Sequence, residues 1–171
     1  MSDTVTSAML ANRCAISAGD CEEAGAYLRV YLVIGEGNAD LNETSLFICR
    51  EALLIAAIVS YSRAFTDSRG KQSAASRVKV DLGKVFDNDF SKTELHKRVL
   101  DRRHRAVAHS DWVCRNTQLL EANRLKGALR RKSVVDYGEG IDIKMFTKIA
   151  DIMCDHFRHQ AYDRDVGWDD E

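Results

Sequence analysis

A chain of 171 residues with no proline anywhere is free of the residue that most often stops a helix. Average usage would supply roughly eight prolines. Proline removes a backbone donor and its ring clashes one turn back, so its absence suits long, uninterrupted helices. It also removes the usual ingredient of a stiff linker, which points to one domain. The length is enough for a self-standing core. Hydrophobic residues make up 45% and charged residues 30%, the balance of a globular protein and not of a disordered one.

Apolar periodicity places the helices. Residues 20–34 carry Ala24, Tyr27, Leu28, Tyr31 and Ile34 on one stripe, with Glu22 and Glu23 near the start. The turn formers of "GEGNAD" end that helix. Whether residues 7–19 extend it backwards is left open by the pattern. Asn42 caps a second helix that runs to about Phe65, with Phe47, Leu54, Ile58, Tyr61 and Phe65 aligned. Its middle, "ALLIAAIV", is apolar on nearly every side, the mark of a central helix. Residues 66–91 are polar and lack a sustained period, which predicts a long loop with short helical pieces. A third long helix follows from about Lys92 to His109, capped by Ser91 or Thr93, with Leu95, Val99, Ala106 and Val113 on one face. Residues 115–140 read as an irregular or short hairpin insertion, with "YGEG" as its turn. A last helix over residues 143–161 turns Phe146, Ile149, Met153 and Phe157 inward. The expected fold class is therefore all-α, a bundle of four to five helices. Residues 1–162 form the domain and residues 163–171 an acidic, disordered tail.

Other features narrow the function. "MSDTVTSAML" has neither the basic start nor the apolar run of a signal peptide. The run "ALLIAAIV" is far shorter than the roughly 20 residues that span a bilayer. Five scattered cysteines without a CxxC suit reduced thiols, neither a disulfide framework nor a zinc site. A cytoplasmic protein with no membrane partner is the expectation. His156 and His159 stand at i, i+3, a spacing open to metal binding but equally that of an exposed polar face, and no metal or other cofactor is expected. "GEG" at Gly35–Gly37 follows a helix and not a strand, so it is no phosphate loop.

Net charge is only −1, but it is unevenly spread. Residues 92–132 carry +8 and the remainder −9. A basic segment on an acidic protein is a footprint for an anion, or a solvated face balanced by its neighbours in the fold. Within it lies "RRHRAVAHSD", Arg102 to Asp111. On a helix, Arg102 and His109 share a face, near Arg105 and Ala106. Arginines hold phosphate and the charge that develops during its transfer. Cations also disfavour a protonated histidine, leaving a neutral imidazole able to accept a proton near neutral pH. That pairing suits cleavage of RNA without metal. A base takes the 2′-OH proton, the oxygen attacks the adjacent phosphorus, and an acid protonates the departing 5′-oxygen. Two proton carriers are needed, so either His104 joins His109 or a second chain supplies its own. The competing reading of His109 is a helix-end histidine against last-turn carbonyls.

The string "RHRAVAHSD" resembles the signature of the HEPN superfamily, small helical domains found in prokaryotic toxin–antitoxin and abortive-infection systems. That pattern is an Arg, commonly followed by a polar residue, and a His after four to six intervening positions. Arg103, His104 and His109 match with five intervening residues and Arg102 with six, whereas Arg105, with three, does not. "AHSD" and the earlier "YSRAF" are similar to one subset of the family. The resemblance implies a homodimer whose motif helices meet at a two-fold axis, each chain giving one Arg and one His to a shared cleft. It implies a metal-independent endoribonuclease, with Arg103 and His109 catalytic and Arg102, His104, Arg105, Asp111 and Arg63 supporting or binding RNA. Arg63 in "YSRAF" fits a structural ion pair equally well. An antitoxin protein is a further partner that the resemblance implies. Toxins of the group that are modified by a nucleotidyltransferase antitoxin carry a tyrosine two residues after the His; Asp111 stands there, a departure from that mechanism. Some members of the family do not cleave RNA, so the rival reading is a non-catalytic nucleotide- or RNA-binding or protein-interaction module.

Overall fold

The computed structural model describes residues 7–35, 42–66, 78–104, 117–119, 129–131 and 140–165. The fold is an all-α bundle. Its helices are α1 (Ser7–Gly35), α2 (Glu43–Arg63), the single turn α3 (Leu82–Val85), α4 (Phe90–Arg102) and α5 (Ile143–Asp165). Between α4 and α5 lies a short antiparallel pair, β1 (Thr117–Leu119) with β2 (Leu129–Arg131).

Four helices form a ring. α1 packs on α5 and on α2, and α4 closes the circle against both α2 and α5. Cross-helix contacts set the directions. Arg29 reaches Asp151 at 2.9 Å and Arg158 reaches Glu22 at 2.9 Å, so α1 and α5 run antiparallel. Arg13 contacts the backbone of Arg63 and Thr66, while the Arg50 guanidinium lies 4.4 Å over the Tyr31 ring, so α1 and α2 are antiparallel as well. Gly25 permits the close α1–α5 approach, since a Cβ there would lie 3.0 Å from the Asp151 carboxylate.

The ring encloses one core. Leu28 of α1, Leu54, Ile58 and Tyr61 of α2, Val99 of α4, and Phe146, Ile149, Met153 and Phe157 of α5 are all fully buried. The inward face expected of α5 is the one observed. On α1, Ala24 and Leu28 are buried, and Tyr27 and Tyr31 pack against the core, as their stripe predicts. On α2 the stripe is right in its second half only. Phe47 is 39% exposed and the neighbouring Ile48 58%. By length and composition α2 is apolar enough to cross a membrane, with a mean hydropathy of 1.6. Its use here is to give Leu54, Ala57, Ile58 and Tyr61 to the bundle core.

Several boundaries differ from expectation. α1 begins at Ser7, because Cys14, Ser17, Ala18 and Cys21 continue its buried face backwards and tertiary packing extends the helix. α5 runs to Asp165, so the first residues assigned to an acidic tail are helical. The strand pair lies within the expected insertion, but its register couples Thr117 to Arg131 and Leu119 to Leu129. "YGEG" follows both strands and is not their turn.

The expected long loop contains α3 and the start of α4. Asp81 caps α3 by accepting from the N–H groups of Gly83 (3.1 Å) and Lys84 (3.4 Å). Asp87 and Asn88 then adopt left-handed backbone, at φ 53° and 58°. Asp and Asn tolerate this region better than other side chains do. The turn delivers Asp89 to cap α4, where its carboxylate accepts from Ser91 N (2.9 Å) and Lys92 N (3.2 Å). The cap is thus Asp89 and not Ser91 or Thr93. Those bonds, with that of Ser91 lying behind that of Lys92 in effect, hold the Asp89 carboxyl below its usual range.

Candidate functional site

Three of the residues singled out in the sequence stand together at the C-terminal end of α4. Leu95, His96 and Val99 form its buried face. Arg102 lies seven residues beyond Leu95, and Arg103 seven beyond His96, so both continue that face past the last core contact. Each is half-buried, whereas His104 is exposed. Arg103 keeps helical backbone and its N–H bonds to the carbonyls of Leu100 and Val99. Arg103 and His104 form a wider, π-type turn, a geometry frequent at functional positions. Cations here oppose the negative end of the helix dipole, which favours them whatever else they do. Arg105, His109 and Asp111 lie outside the described residues, as do Ala106 and Val113 of the expected stripe. The helix expected to reach His109 is described to Arg102.

Arg63 makes the ion pairs that its position in the sequence also allows. Its Nε lies 3.0 Å from Asp20, and its Nη2 bonds Glu23 and, at 3.2 Å, Ser60 Oγ. Ser60 also donates to Glu23 at 2.8 Å and Tyr27 does so at 3.0 Å. The Ser60 hydrogen bond is the largest influence that holds the Glu23 carboxyl below its ordinary range. Burial, the larger influence on Asp20, raises that carboxyl against the pull of Arg63. Arg63 therefore cross-links α1 and α2 as a structural ion pair.

One histidine that sequence reasoning missed is in the core. His96 is 4% exposed, and its Nδ1 lies 2.8 Å from the hydroxyl of the fully buried Tyr61. Rings surround it: Phe65 at 4.7 Å between centroids, Tyr61 at 5.7 Å and Phe86 at 6.2 Å. Burial, with Lys97 adding a little, pushes its pKa down to about 4, so His96 is neutral at physiological pH. The signal was its position beside Leu95 and three residues before Val99, on the apolar face of α4.

His156 is half-buried on α5, and burial, then His159, lowers its pKa. Among the described residues no group of three or more His, Cys, Asp or Glu is arranged to hold a metal ion. Two buried thiols, Cys21 and Cys154, are not activated: burial raises both, the opposite of a nucleophile. Arg102 and Arg103 stand together as cations at the end of α4. Compared with known proteins, the chain matches no family model, no curated protein and no solved structure.

Proposed function

We propose that this protein is a metal-independent endoribonuclease of the HEPN type, which cleaves RNA by attack of the 2′-OH on the adjacent phosphorus. The observation that carries the reading is the placement of its motif. The Arg-His-x4-His string begins where α4 leaves the bundle, with Arg102 and Arg103 on the prolongation of the Leu95–His96–Val99 face. In this reading Arg103 steadies the charged phosphorane, and His109 moves the proton. A second copy of the chain supplies the second histidine, so the site is composite and the protein a homodimer, acting in a toxin–antitoxin or abortive-infection setting. Arg102, His104, Arg105 and Asp111 contribute to the RNA-binding surface, and an antitoxin protein is a further partner.

The test uses single-stranded RNA and a chelator. Cleavage persists in chelator, the products end in 2′,3′-cyclic phosphate, and a single 2′-deoxy substitution blocks cleavage at that position. RNA that is bound but never cut leaves the protein a binding module, the alternative that the basic end of α4 supports on charge alone. Cleavage that requires added magnesium refutes the mechanism.

A further inference from the structure

A cavity of about 140 Å3 lies where the first half of α1, the end of α2, the segment before α3 and the middle of α4 converge. It is roughly the size that takes up a benzene molecule. Phe65, Val78, Val80 and Leu82 give it apolar walls, and Arg13 and His96 bring polar groups to it.

His96 lines the cavity and Tyr61 does not. The hydroxyl of the fully buried Tyr61 and His96 Nδ1 lie 2.8 Å apart. With the hydroxyl as donor, the arrangement that satisfies its buried proton, the neutral imidazole carries its hydrogen on Nε2. Arg13 adds a second set of donors. Its Nη2 is turned to the carbonyls of Arg63 (3.2 Å) and Thr66 (3.3 Å). Asp20 and Glu23 bond to Arg63, and the Asp20 carboxylate also feels the charge of Arg13. The cavity therefore brings a guanidinium and an imidazole together with the apolar side chains of Phe65, Val78, Val80 and Leu82.

We infer that this cavity binds a small monocarboxylate whose apolar body is about the size of a six-membered ring. The carboxylate takes hydrogen bonds from Arg13 and His96, and the ring or branched chain lies against Phe65, Val78, Val80 and Leu82. A free phosphate would set its charge against these apolar walls, and a plain hydrocarbon would leave both donors unpaired. The site is separate from the proposed RNA-cleaving residues and does not depend on that reading.

Calorimetric titration of the full chain with benzoate tests the proposal, with benzyl alcohol as an uncharged analogue of the same ring. Benzoate binds saturably with one site per chain, and benzyl alcohol binds at least about tenfold more weakly, the size of one charge-assisted hydrogen bond. Arg13→Gln weakens benzoate by a similar factor, and Val80→Phe, which fills the cavity, abolishes binding. Thermal unfolding establishes that each variant is folded; if Val80→Phe is not, Arg13→Gln decides alone. Absence of benzoate binding overturns the proposal. So does equal affinity for benzyl alcohol, or benzoate binding that Arg13→Gln leaves unchanged.

Discussion

Replacing His96 with glutamine tests the core around Tyr61 through its pH dependence. In the unfolded chain a histidine titrates near its ordinary value of 6.5, while in the fold burial holds His96 down to about 4. Between those two values the unfolded state binds more protons than the native state, so stability falls as pH falls. The contribution is complete above about pH 6.5 and is lost by about pH 4. At 1.36 kcal/mol for each pKa unit, the loss over that window is about 3 kcal/mol. His96→Gln keeps an amide that can accept the Tyr61 proton but cannot titrate. The variant starts somewhat less stable at pH 7, by about 1 kcal/mol for an imperfect fit. Urea unfolding at a series of pH values is the assay. The carboxylates are common to both proteins and cancel in the difference. Wild type is expected to lose about 3 kcal/mol more than the variant between pH 6.5 and pH 4. Parallel stability curves would refute the reasoning, as would a His96 that titrates near 6.5 in the folded protein by NMR.

Asp89→Ala removes two bonds from the first turn of α4 and is expected to cost about 1 kcal/mol in thermal or denaturant unfolding, whereas Ser91→Ala costs little. Light scattering at tens of micromolar is expected to give a two-fold symmetric dimer mass, and a monomer would count against a composite site. Binding of single-stranded RNA is expected to weaken steeply with salt, since Arg102, Arg103 and Arg105 displace counterions, and an affinity flat in salt would remove nucleic acid as the ligand.

The parts of the fold most legible in the sequence were those where one face is apolar and the other charged. α5 is such a helix, and Phe146, Ile149, Met153 and Phe157 are all fully buried as its period implies. α2 was legible in its position and its Asn42 cap, whose side chain accepts from Ser45 N at 2.8 Å. Its exposure was not, because an all-round apolar sequence does not say how far its neighbours extend along it. The backward extension of α1 was ambiguous since alanines and small polar residues carry little periodic contrast. The Asp89 cap was hidden among other candidates, Ser91 and Thr93, and only the left-handed pair Asp87–Asn88 decides between them. Of the candidate site, Arg102 and Arg103 were legible as a basic helix end and stand there. Arg63 was equally legible as an ion-paired residue, and it does pair with Asp20 and Glu23. His96 escaped notice because a single histidine beside Leu95 gives no sign, before folding, that a tyrosine 35 residues earlier will meet it.

In the proposed reaction Arg103 and His109 carry out the chemistry. Cleavage of a single-stranded RNA in the presence of chelator, measured for wild type, Arg103→Ala and His109→Ala, tests it most directly. Each substitution is expected to lower the rate by about a hundredfold or more with the fold intact, since neither removes an apolar core group. Arg105→Ala, whose spacing to His109 lies outside the motif, is expected to lower it less. Full activity in His109→Ala would contradict the account and leave the basic end of α4 as a binding surface.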